Sequence, residues 1–99
     1  MTIIDQLTAQ HFAPFIGKSV QPIGNEISLI LVAVNQHAWD GWEGMARKPF
    51  SLILRGPRQP VLPEGPYELV MEGESTPMLY VIPVFTAAPR HQDYQVVFN

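Results

Sequence analysis

Three histidines, a loop with two tryptophans and a handful of carboxylates are the side chains in this chain able to do chemistry or recognition. His11, His37 and His91 are scattered, and none stands in the His-x-Glu or His-x-x-x-His spacing that sets up a metal pair. His37, Asp40 and Glu43 form the single clustered set of possible ligands. Converging in a loop, they would hold a divalent cation or act as a base and its orienter. The same residues serve as well to keep a solvated loop wet. Ser28 and Ser51 fall inside strand-like runs, away from the strained Gly-x-Ser-x-Gly turn that exposes a nucleophile. Gly41 and Gly44 share a loop, but no strand-to-helix transition follows to make a phosphate cradle. With no cysteine in the chain, thiol nucleophiles, Cys-based zinc sites and disulfides are ruled out. This inventory predicts a protein that is not an enzyme, with no cofactor and no metal.

Trp39 and Trp42 are the stronger candidates, for binding. Two indoles flanking Asp40-Gly41 in a polar loop each carry about 150–250 Å² of surface that is costly to leave in water, and tryptophan is enriched at binding hot spots. Either ring has an alternative use, folding back to close the core at the barrel end opposite the N-terminal helix. The candidate binding set is Trp39, Asp40, Trp42 and Met45 in the loop, Arg47 where it ends, and Arg55 at the far end of the strand that follows.

Composition narrows the classes. A chain of 99 residues holds one core, so residues 1–99 read as a single domain. Ten prolines and seven glycines suit many short strands with hard turns better than a helical bundle. An apolar share of 46% with 15% charged residues is far from disorder. The net charge of −3 argues against nucleic acid, which favours a basic domain. Four of the six basic residues lie between Arg47 and Arg58. Glu64, Glu68, Glu72 and Glu74 occupy the next segment, and as a neighbouring strand they would answer those charges. No apolar run reaches the length of a membrane span. Met1-Thr2-Ile3-Ile4-Asp5 has neither the basic region nor the cleavage site of a signal peptide, which makes the cytoplasm the expected compartment.

The elements that must position these residues follow from periodicity. Residues 2–13 predict a short helical lid, with Thr2 and Asp5 in capping-box positions and Ile4, Leu7 and His11 on one face. Phe12, Phe15 and Ile16 then plug one end of the sheet, and an amphipathic docking helix is the alternative use of this segment. Residues 19–98 predict six short strands: Ser19–Ile23, Glu26–Val34, Pro49–Arg55, Tyr67–Glu72, Met78–Val84 and Asp93–Phe98. The fold class is therefore all-β: a six-stranded, mostly antiparallel meander barrel or small sandwich. In meander order Ser51 sits opposite Glu68, Phe50 by Leu69, Leu52 by Tyr67 and Arg55 by Glu64. Glu26–Val34 and Met78–Val84 look apolar on both faces. Ile30, Val32, Leu79 and Val81 would then form an exposed patch that a homo-oligomer or a protein partner covers.

Several stretches together resemble a small bacterial family, domain of unknown function 6916. They are Leu7-Thr8-Ala9-Gln10-His11-Phe12, Pro49-Phe50-Ser51-Leu52-Ile53-Leu54-Arg55-Gly56-Pro57, Leu62-Pro63-Glu64-Gly65-Pro66-Tyr67, Val81-Ile82-Pro83-Val84 and the terminal Tyr94-Gln95-Val96-Val97-Phe98-Asn99. The resemblance implies a compact β domain and brings no catalytic residues, and such domains are associated with neighbours resembling phage tail-collar or fibre proteins. Residue types and resemblance lead to the same expectation, a non-enzymatic protein–protein interaction or assembly module. The alternative is a small-molecule or carbohydrate-binding barrel that stacks its ligand on Trp39 and Trp42.

Overall fold

The computed structural model describes residues 7–37 and 49–98. Six strands, β1 (Ser19–Pro22), β2 (Leu29–Gln36), β3 (Phe50–Pro57), β4 (Gly65–Met71), β5 (Glu74–Pro83) and β6 (His91–Phe98), close into an antiparallel barrel. The short helix α1 (Ala9–Phe12) precedes them and runs into a 3-10 turn, Ala13–Phe15. Thr8 caps α1, its hydroxyl accepting from the His11 backbone N–H at 3.3 Å. The expected cap at Thr2 and Asp5 lies outside the described residues.

The order around the barrel is β1-β2-β3-β6-β5-β4. The chain thus makes two three-stranded meanders, joined where β3 pairs with β6 and β1 pairs with β4. This corrects the expected register. Ser51 stands opposite Val97 on one side and Asn35 on the other, not Glu68. Phe50 is beside Phe98, Leu52 beside Val96, and Arg55 beside Asp93 rather than Glu64. Both strands alternate, with Leu52, Leu54, Leu69 and Met71 all facing inward. But alternation fixes which face is buried, not which strand lies alongside. The connection from Arg58 to Glu64 crosses the barrel end instead of making a hairpin.

Two irregularities explain the strands that seemed apolar on both faces. On β2, Leu31 pairs with Leu54 and Ala33 with Ile53, so Val32 is an extra residue. The bulge reverses the alternation. Leu29 and Leu31 face the core before it, and Val34 packs against the core after it. On β5, Leu79 and Val81 are buried while Met78 and Tyr80 point outward. The continuous patch of Ile30, Val32, Leu79 and Val81 therefore does not exist. Leu79 and Val81 belong to the core, Val32 is half-buried, and Ile30 alone is well exposed. β5 also carries Pro77 at a second bulge, opposite Leu69, where the Leu69 N–H donates to the Thr76 hydroxyl at 3.1 Å. The β4–β5 turn is tight. Glu72 and Gly73 both have positive φ, as a two-residue hairpin turn of this hand requires.

Both barrel ends are closed by side chains. At one end, Phe12 from α1 packs on Phe50 and Phe98, whose rings stack 4.4 Å apart across the β3–β6 ladder. At the other end Leu62 is fully buried, its backbone N–H donating to the Tyr94 hydroxyl at 2.8 Å. Gly56 makes room there. A Cβ on it would stand 2.5 Å from Leu29 Cδ2.

Candidate functional site

Of the sequence-predicted binding residues, Trp39, Asp40, Trp42, Met45 and Arg47 lie outside the described residues, as does Glu43. The flanking residues place the two ends of their loop. The His37 N–H donates to the Pro49 carbonyl at 2.9 Å, beside Phe50, at the barrel end that carries α1. Arg55 is described, and its guanidinium is committed within the barrel wall. Its Nε and Nη2 donate to the two carboxylate oxygens of Asp93 at 2.8 and 3.2 Å. That bidentate pair holds the Asp93 carboxyl below its usual range, against a smaller opposing push from partial burial.

Among the described residues, His37 Nε2 and Ser51 Oγ lie within hydrogen-bond distance, at 3.1 Å. Geometrically this is a nucleophile and a base. Yet Ser51 is only 1% exposed, so its hydroxyl meets no substrate in this conformation. The bond instead ties the residue after β2 to the outer face of β3. Among the described residues, no three His, Asp or Glu side chains cluster as a metal site, and no helix is long and apolar enough to cross a membrane.

The barrel end opposite α1 is built differently. There the β1–β2, β3–β4 and β5–β6 connections come together. The β5–β6 connection is tied down along its length. The Val84 N–H donates to the Asp93 carbonyl at 3.1 Å, and the Val84 carbonyl accepts from Thr86 Oγ1 at 2.9 Å and Gln92 Nε2 at 2.7 Å. The buried Thr86 hydroxyl also accepts from the Asp93 N–H at 3.0 Å. Arg58 Nη1, reaching from the β3–β4 connection, donates to the Thr86 carbonyl at 2.8 Å. Between the anchored Val84 and Thr86 stands Phe85, 94% exposed. A phenyl ring held in water at the crest of a bonded loop is an unusual use of an apolar side chain.

At the same barrel end, between the β1–β2 and β3–β4 connections, runs an open groove of about 730 Å³. One wall is Gly24 to Ser28, and the other is Pro57, Pro60, Val61 and Pro63. Both walls are braced from behind. Gln21 Nε2 donates to the Asn25 and Ile27 carbonyls, and Asn25 Oδ1 accepts from the Ile27 N–H at 2.9 Å. Across the groove, the Tyr67 hydroxyl donates to the Pro63 carbonyl at 2.7 Å. Arg58 backs onto both features, lying between groove residues Pro57 and Pro60 while its guanidinium holds the Phe85 loop.

The profile of the domain of unknown function DUF6916 matches residues 7–98, nearly the whole described barrel. The chain belongs to the DUF6916 family. No curated protein and no solved structure matches it. Within this DUF6916 barrel, sequence reasoning missed Phe85 for a definable reason. In the alternation of β5, Phe85 shares its parity with Leu79 and Val81, which face the core. The ladder ends at Pro83, and Thr86 takes the inward position in its place. The signal available beforehand was the composition of Phe85-Thr86-Ala87-Ala88-Pro89, a large aromatic among small residues and a proline.

Proposed function

We propose that this domain is a non-enzymatic protein-interaction module that docks through Phe85 and the groove at the same barrel end. The observation that carries this reading is the 94% exposure of Phe85 between two residues that are hydrogen-bonded into the barrel. A backbone already anchored on both sides of Phe85 has less left to order on binding, and the ring removes apolar surface from water when a partner covers it. Buried aromatic anchors of this kind carry most of the energy of protein interfaces. A ligand held inside the barrel is less favoured, because Leu29, Leu31, Leu52, Leu54, Leu69 and Val81 fill the interior with no exposure; stacking on Trp39 and Trp42 falls outside the described residues.

A photo-crosslinking amino acid at position 85, in cells that naturally express the protein, tests the proposal. Discrete protein adducts are expected from position 85 and none from the exposed position 72. No adduct at 85, or equal labelling at both positions, contradicts it.

A further inference from the structure

We infer that the partner is a second copy of this chain, paired through a two-fold axis, with Phe85 of each copy seated in the Pro57/Pro60/Val61 groove of the other. This inference rests on the protein-binding reading and adds the identity of the partner.

Three observations support it. First, one molecule carries both halves of a fit that it does not make with itself. Phe85 stands in solvent, and the groove at the same barrel end offers exposed Val61 and proline rings, floored by the largely buried Ile27, as an apolar bed for an aromatic side chain. Second, projection and groove flank the same segment. Pro57, Pro60 and Val61 line the groove, and Arg58 among them bonds to Thr86 beside Phe85. Features at one barrel end, linked through Arg58, can each meet the other's counterpart when two copies face one another, the reciprocal contact of a closed two-fold interface. Third, the charges are complementary. Arg90 is exposed on the Phe85 connection and Glu26 is exposed on the groove wall. Reciprocal docking brings Arg90 of each copy toward Glu26 of the other, which sets register and favours this pairing over unrelated surfaces. Both walls and the loop are already braced, so docking needs little rearrangement.

Sedimentation velocity on the whole chain at micromolar concentrations tests this. The wild-type protein should sediment as a species of about twice 11.1 kDa. Phe85→Ser should weaken dimerisation roughly thirty-fold or more, the scale of a hot-spot residue, with an unchanged circular dichroism spectrum because the side chain is outside the core. Glu26→Arg and Arg90→Glu should each weaken the dimer, and the double variant E26R/R90E should recover it. A wild-type monomer, a Phe85→Ser variant that dimerises normally, or a double variant no better than the singles each overturns the dimer. A wild-type monomer alongside discrete hetero-adducts from position 85 would overturn this inference while supporting the protein-binding reading, so the two fail separately.

Discussion

The hydroxyl of Tyr94, deep in the barrel, accepts a hydrogen bond from the backbone N–H of Leu62 at 2.8 Å. Tyr94 belongs to β6 and Leu62 to the β3–β4 connection, so this bond holds the crossing segment down over the barrel end. It fixes the position of Val61 and Pro63 in the groove wall. Burial pushes the Tyr94 phenol above its ordinary pKa, with the Leu62 N–H opposing. Tyr94→Phe leaves a buried N–H without its acceptor and should cost about 1–3 kcal/mol. In thermal denaturation, each kcal/mol should appear as about 4–8 °C for a domain of this size. An unchanged Tm would mean that the segment is not held by this bond.

Phe98 sits at the other end, stacked on Phe50 and touching Phe12. Phe98→Ala removes a buried ring from the point where β3, β6 and α1 meet, with an expected loss of about 3–5 kcal/mol. Against a total of roughly 5–15 kcal/mol, that leaves a marginal domain. Urea unfolding should show a lower midpoint, and a midpoint within error of the wild type would contradict the placement of β6.

Asp93 sets an acid limb. Its hydrogen bonds from Arg55 depress its folded pKa, with His91 3.7 Å away adding a smaller favourable charge when protonated. The stabilisation is therefore present above the unfolded value of about 3.9 and is lost as pH falls through the lower folded value. Asp93→Asn should be less stable than the wild type at neutral pH, by a modest amount because the Arg55 side chain is 43% exposed and solvent screens the pair. The difference should close in strong acid. A gap that stays constant down the acid limb would show that Asp93 acts through packing alone.

The barrel was legible where one physical rule decides the outcome. Short apolar runs punctuated by Pro and Gly located all six strands. Neighbour relations were not legible, because a strand's pattern names its buried face and not its partner. Arg55 seemed bound for Glu64 and instead meets Asp93, 38 residues away. The bulge at Val32 was hidden too, since an extra residue in an apolar strand looks the same as a strand covered on both sides. Phe85 was the largest omission. Its outward position depends on Thr86, Asp93, Gln92 and Arg58 converging from three segments, a network that no local pattern encodes.

Docking through Phe85 requires its backbone to be held rigidly for a partner rather than exposed by a loose loop. Backbone ¹⁵N relaxation measures this directly. We expect the Phe85 amide to have an order parameter near that of the strands, about 0.85. Thr86→Val removes the bond from Asp93 and the bond to Val84, and it should drop the Phe85 value toward the flexible range below about 0.6. A wild-type Phe85 already in the flexible range, indifferent to the change at Thr86, would contradict the account.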